Sequence, residues 1–194
     1  MPDKPKITAL ICALNEEANL QYVLPLIPEW VDEIILIDGH SFDRTVDTAK
    51  ELRPDIRVLY QPGKGKGAAL KYGVDNAVGD IIVTLDADGS TDPEEMDKFV
   101  EPLLNGYEFA KGSRLTNGRP ANMPWHRWVG NKILVAVMNL LYGTKYTDVC
   151  SGYNGFRNGT FLGLDLESDG FAIINSGRTR VNDSGLYDSV ITGR

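Results

Sequence analysis

The sequence predicts an open α/β sandwich, a mostly parallel sheet covered by helices on both faces. Three features carry that expectation. Short apolar, β-branched runs occur at residues 7–13, 33–38 and 80–85, intervals of helix-forming length separate them, and polar turn residues collect where each run stops. Parallel neighbours need a crossover of roughly a dozen residues or more, and these intervals allow one.

The elements follow in order. Ile7–Ala13 (ITALICA) reads as a buried strand. Asn15 then stands where it can cap a helix with an acidic first turn, carrying Leu20, Val23, Leu24 and Ile27 inward and ending at Pro28. Glu33–Asp38 is the second strand, and Asp43-Arg44-Thr45 opens a helix to about Leu52. Arg57–Tyr60 is the third strand. The glycine- and lysine-rich loop Pro62–Gly67 leads into another helix. Asp80–Leu85 is the fourth strand, Pro93 suits a first helical position, and Glu108–Lys111 is the fifth strand. Residues 125–143 break the alternation. Apolar residues recur there at helical spacing, with Trp125, Arg127, Trp128 and Lys132 near the start, as in an interfacial amphipathic helix or a core-packing one.

Composition narrows the function. A chain of 194 residues with 42% hydrophobic residues fits one globular domain. The net charge of −7 excludes a broad phosphate-backbone-binding surface, so nucleic acid is not expected as a partner. Local basic clusters at Lys64, Lys66 and Lys71, and at Arg114, Arg119, Arg127 and Lys132, suit a small anionic ligand instead. Cys12 and Cys150 are far from any second metal-ligand pair and read as free thiols of a reducing compartment. The start of the chain reads as lacking a signal peptide, and no apolar run approaches the ~20 residues needed to cross a bilayer. The expected location is cytoplasmic, with peripheral attachment to the cytoplasmic membrane face in view.

In sheets of this kind ligands bind beyond the carboxyl ends of the strands. The fourth strand ends in Asp86-Ala87-Asp88, two carboxylates at i and i+2 that can share a hard cation such as Mg²⁺ or Mn²⁺ with a diphosphate. Taken alone, the pair is more often a solvated turn. An EF-hand fits badly, because Thr91 stands at the sixth loop position and Asp97 at the twelfth. Asp38 ends the second strand, where a carboxylate can accept hydrogen bonds from a base or ribose. Gly63-Lys64-Gly65-Lys66-Gly67 can turn backbone N–H groups and ammonium groups toward phosphates, although it is neither a P-loop nor a Gly-x-Gly-x-x-Gly turn. Gly112-Ser113-Arg114 puts a guanidinium after the fifth strand.

Taken in order, these motifs resemble family 2 glycosyltransferases of the GT-A fold, in particular the dolichol/polyprenyl-phosphate sugar synthase branch. The resemblance runs from about residue 6 to residue 171. It rests on Ala13-Leu14-Asn15-Glu16, Asp38-Gly39-His40-Ser41 with Asp43-Arg44-Thr45, the 63–69 loop, Asp86-Ala87-Asp88, Gly112-Ser113-Arg114, and Asp148 to Arg157 (DVCSGYNGFR). It implies a single nucleotide-diphospho-sugar transferase domain over residues 1–171, with a nucleotide-sugar half at about 6–114 and an acceptor half at about 115–171. Residues 172–194 are then an atypical tail, disordered or truncated.

The resemblance also implies roles. Leu14 and Glu16 would contact the nucleoside and Asp38 the base. Asp86 and Ala87 would lie by the ribose and metal, with Asp88 as the main ligand of Mg²⁺ or Mn²⁺. Lys64 and Arg114 would lie near the donor phosphates. Asp148 falls at the position of a general base, and Arg127, Ser151 and Tyr153 are acceptor-side candidates. The implied reaction is inverting transfer of a sugar from a UDP- or GDP-sugar to a polyprenyl or dolichyl phosphate. A hydroxyl acceptor, or sugar-nucleotide binding without turnover, stays open beside it. Ala13 replaces the family's usual Pro, and Asp38-Gly39 its common Asp-Asp pair.

Overall fold

The protein is described from a computed structural model covering residues 4–113, 124–142, 151–159 and 189–192. Among the described residues seven strands form one sheet in the order β3-β2-β1-β4-β6-β5-β7. They are β1 (Ile7–Ala13), β2 (Glu33–Asp38), β3 (Arg57–Tyr60), β4 (Ile81–Asp86), β5 (Phe109–Ser113), β6 (Asn154–Arg157) and β7 (Ser189–Thr192). The helices are α1 (Thr45–Leu52), α2 (Lys66–Asn76), α3 (Asp97–Leu104) and α4 (Trp125–Tyr142). Strands β3, β2, β1 and β4 are parallel, whereas β6 runs antiparallel to both β4 and β5. The mostly parallel sandwich is therefore present, with one reversed strand that the sequence shows only as part of a motif. Residues 189–192 lie in the polar tail and add β7 parallel to β5.

Alternation along the strands splits the core in two. Ile7, Ala9, Ile11 and Ala13 of β1, with Ile34 and Leu36 of β2, face Leu20, Leu24, Phe99 and Leu103. Leu10, Ile35 and Ile37 face the other way, against Ala69 and Leu70 of α2. A strand buried on both faces favours apolar residues at nearly every position, which is why β1 and β2 read as almost continuous apolar runs despite the buried Thr8 and Asp38.

One expected element differs. The segment after Asn15 forms short 3₁₀ turns at Leu20–Tyr22 and Leu24–Leu26 rather than an α-helix. Pro25 lacks an N–H and crowds the preceding turn. Asn15 takes a left-handed φ of 58°, and its Oδ1 accepts from Phe42 N at 3.0 Å instead of capping. Leu20, Val23, Leu24 and Ile27 are nonetheless all buried, as the apolar spacing requires. The turn from Pro93 to Met96 is also 3₁₀, capped by Asp92, whose Oδ1 accepts from Glu94 N at 3.0 Å, and α3 follows it.

The chain leaves β1 for β2 on one side and later returns to β4 on the other. The crevice between the ends of β1 and β4 is thus the sheet's topological switch point.

Candidate active site

In register, Ala13 lies beside Asp38 and Cys12 beside Asp86. The ends of β1, β2 and β4 therefore deliver Leu14–Glu16, Asp38–Gly39 and Asp86–Asp88 to one edge. The loops after β1 and β2 are laced together by side chains. Ser41 Oγ accepts from Asn15 N at 2.9 Å, Thr45 Oγ1 from Glu16 N at 2.8 Å, and Asp43 Oδ2 from Glu17 N at 3.2 Å. Asp43 Oδ1 also accepts from the N–H of Thr45, the first residue of α1, at 3.0 Å. The Thr45 hydroxyl bonded to Asp43 holds that carboxyl below its ordinary value.

A cavity of about 350 Å³ opens here, with Cys12 and Ala69 in its wall and Leu14, Glu16, Gly39, Gln61, Lys66, Asp86 and Asp88 around it. Leu14 is exposed at the mouth of this cavity. Asp38 is 1% exposed. Its Oδ2 accepts from Ser41 N at 3.0 Å, while its Oδ1 meets no donor among the described residues. Burial pushes the Cys12 thiol up to about 12, against a smaller opposing pull from the Lys66 ammonium.

The carboxylates of Asp86 and Asp88 occupy the rim of this cavity. Asp88 Oδ1 accepts from Ser90 N at 2.9 Å in a tight turn. Asp86 Oδ1 pairs with the Lys66 ammonium, and its Oδ2 lies so close to Gly152 that an added Cβ there would stand 2.2 Å away. The chain thus leaves a cradle for the Asp86 carboxylate that only glycine permits. Two hard oxygen donors held this way suit Mg²⁺ or Mn²⁺ with a diphosphate completing the shell. Among the described residues no cluster of three His, Cys, Asp or Glu side chains exists, so a ligand must supply further donors.

Across Gly89 lies a second cavity of about 430 Å³, walled by Tyr22, Ser90, Thr91, Glu94, Ser113, Ser151 and Tyr153. Tyr153 stacks on Phe99 with ring centroids 4.0 Å apart and donates to Asp92 O at 3.1 Å. Burial holds its phenol well above the usual tyrosine range. Ser151 is buried; its backbone oxygen accepts from the buried Lys111 ammonium at 3.3 Å. Asp86–Asp88 therefore forms a ridge between two cavities.

Of the residues singled out from the sequence, Leu14, Glu16, Asp86, Ala87 and Asp88 meet at the first cavity, with Asp38 buried behind it. Ser151 and Tyr153 line the second. Arg127 is exposed on α4, and Lys64 is exposed in its loop. Arg114 and Asp148 lie outside the described residues, as does Cys150. Two contributors stand out only in three dimensions. Lys66, rather than Lys64, reaches Asp86 because it is the first residue of α2, after the turn at Gly65 (φ 86°). Gly152 shapes the Asp86 cradle. Lys64 and Lys66 are indistinguishable in a Gly-Lys-Gly-Lys-Gly string, and only the helix start tells them apart.

A switch-point crevice with an Asp-x-Asp ridge on a mostly parallel sheet with one reversed strand defines a GT-A-type nucleotide-diphospho-sugar transferase domain. The model of glycosyl transferase family 2 matches residues 8–164, and the chain belongs to that family. It is 29% identical over 187 residues to "Glycosyltransferase AglJ" of Haloferax volcanii, covering 93% of this chain and 61% of that one. It is 31% identical to the "Dolichol-phosphate mannosyltransferase" of Pyrococcus furiosus, covering 87% of this chain and 51% of that one. The chain thus spans between about half and three fifths of the length of these relatives. Glucosyl-3-phosphoglycerate synthase from Mycobacterium tuberculosis, solved with Mg²⁺ and uridine diphosphate, superposes with a TM-score of 0.76. That likeness covers 97% of this chain and 68% of the other at 24% identity, and is one of fold.

Proposed function

We propose that the protein transfers a hexose, with inversion, from a UDP- or GDP-sugar to a polyprenyl or dolichyl phosphate at the cytoplasmic face of a membrane. The observation that carries this is the Asp86–Asp88 ridge at the switch point, with a cavity on either side. The first cavity takes the nucleoside: Leu14 covers the base, and the orphaned Asp38 Oδ1 behind Gly39 accepts from its N–H. Asp86 and Asp88 hold Mg²⁺ or Mn²⁺, which would neutralise charge on the departing diphosphate. Lys66, Lys64 and Arg114 add cationic charge around the same phosphates.

A lipid phosphate is already largely ionised at neutral pH and attacks the anomeric carbon without needing a strong base. The likeness to the dolichol-phosphate mannosyltransferase of Pyrococcus furiosus supports this acceptor class. The shape of α4 supports a membrane location. Its protein-facing side carries the buried Asn131 and Val135, while Trp125, Ile133, Val137, Leu140 and Leu141 face solvent, Leu140 at 85% exposure. Arg127 and Lys132 flank that apolar arc, an arrangement suited to lying in a lipid headgroup layer. No helix among the described residues is long and apolar enough to cross a membrane.

A second reading, transfer to a hydroxyl acceptor, draws on the hydroxyl- and carboxylate-rich wall of the second cavity. Asp148 would then serve as the general base. Transfer assays with a short polyprenyl phosphate against simple sugar acceptors separate the two. In either case Asp88→Asn is expected to lower metal-dependent transfer by at least about a hundredfold while leaving the melting temperature near wild type. An active Asp88→Asn enzyme removes the ridge from the mechanism.

A further inference from the structure

The most unusual contact in the site is the one between Lys66 and Asp86. Turned back by Gly65, the first side chain of α2 lays its ammonium on Asp86 Oδ1. Both side chains are only about one-fifth exposed, at 23% and 22%, so the pair is partly shielded from water and salt. Asp86 cannot turn far from the lysine, because its Oδ2 already rests against the Gly152 backbone. Beneath the pair lies the neutral Cys12 thiol, which offers neither charge. On the far side, Asp88 Oδ1 is tied to Ser90 N.

The ammonium therefore offsets one of the two ridge carboxylates before any ligand arrives. Of the ridge itself, Asp86 and Asp88, a single uncompensated negative charge is left. A divalent cation coming alone meets an ammonium seated on one of its two carboxylate ligands, and no third acidic or imidazole ligand among the described residues. A nucleoside diphosphate changes both terms. Its oxygens give the ammonium a new partner and supply the hard donors that the ion lacks.

We infer that Lys66 is a built-in counter-ion for Asp86, released by the diphosphate, so that metal and nucleotide enter as a pair rather than metal first. The inference rests on Asp86 and Asp88 being the metal corner. It gives Lys66 a positioning role: it keeps Asp86 in its Gly152 cradle when the site is empty and moves to phosphate when it fills. The substrate class follows from the same chemistry. The ligand that frees Asp86 must carry at least two phosphoryl groups, one to take the ammonium and one to share the ion, so a nucleoside monophosphate should not trigger the exchange.

The test reads Mn²⁺ binding directly, by the electron paramagnetic resonance signal of the free ion titrated into the full chain. Wild type, Lys66→Met, Lys66→Arg and Asp88→Asn are compared alone, with UDP or GDP, and with UMP or GMP. Wild type should bind Mn²⁺ weakly alone, tighten strongly with a diphosphate, and respond little to a monophosphate. Lys66→Met should bind Mn²⁺ alone at least about tenfold more tightly than wild type. Its nucleotide–metal coupling should shrink correspondingly, since linkage is reciprocal. Lys66→Arg, which keeps the charge, should behave as wild type. Equal or weaker Mn²⁺ binding by Lys66→Met alone, with Asp88→Asn still losing the ion, overturns the counter-ion role only. Unchanged Mn²⁺ affinity in Asp88→Asn with a diphosphate overturns the metal corner itself.

Discussion

At the scale of single residues, the site is built from small tolerances. Gly152 has no room for a methyl group, because its Cβ would collide with the Asp86 carboxylate. Gly152→Ala is therefore expected to displace Asp86 and lower kcat/KM on the order of a hundredfold, with an unchanged circular dichroism spectrum. Near-wild-type kinetics would mean that the position of Asp86 is immaterial. Cys12 carries a pH prediction. Its pKa rises on folding from an ordinary 9.0 to about 12. Above pH 9 the unfolded chain sheds this proton while the folded one retains it, so the unfolded state binds fewer protons and stability falls as pH rises. Below pH 9 the contribution is fully present. Urea midpoints at pH 8 and pH 10 should diverge in wild type and converge in Cys12→Ala. An equal fall in both would assign the alkaline loss to other groups.

At the scale of elements, α2 matters most, because it carries Lys66 and must lie close to the sheet. Gly73 permits this: a Cβ there would stand 2.4 Å from Leu10 Cδ1 and 3.1 Å from Ile37 Cδ1. Gly73→Ala gains roughly 1 kcal/mol of helix propensity. Overpacking costs about 1–3 kcal/mol and should win, since Leu10 and Ile37 are fully buried with nowhere to retreat. The expected result is a lower denaturation midpoint and weaker nucleotide binding together, as α2 lifts and takes Lys66 with it. A stabilised variant would show that Leu10 can repack. The 3₁₀ segment between Leu20 and Leu26 illustrates a related point. Apolar spacing selects which residues go inward, but the backbone there takes 3₁₀ turns, with Pro25, which has no N–H to donate, in the second of them.

At the scale of the whole molecule, charge and apolar surface are placed against expectation. The chain carries a net charge of −7, yet its α4 turns apolar side chains outward between Arg127 and Lys132. Such a surface is stable in water only at a price, and a bilayer interface removes it. The double variant Leu140→Glu, Leu141→Glu should abolish flotation with anionic liposomes while leaving nucleotide-diphosphate binding intact. Continued flotation of that variant would remove α4 from any membrane contact. Because Leu140 and Leu141 lie on α4 and Lys66 on α2, liposome flotation and nucleotide binding should fail independently.

The local pattern of the chain determined much of this. Continuous apolar runs identify β1, β2 and β4 because strands buried on both faces admit few polar residues. The acidic, glycine and lysine clusters identify the candidate site edge because parallel strands present their carboxyl ends together. Asp86 and Asp88 were legible for both reasons. The reversal of β6 was not, since Asn154–Arg157 has neither the length nor the alternation that marks a strand, and its antiparallel pairing with both β4 and β5 shows only in the folded chain. Nor could spacing choose Lys66 over Lys64, or show why residue 152 is glycine. Those choices depend on which atoms meet across 20 and 66 positions of sequence, at Lys66–Asp86 and Asp86–Gly152, and only the folded chain brings them into contact.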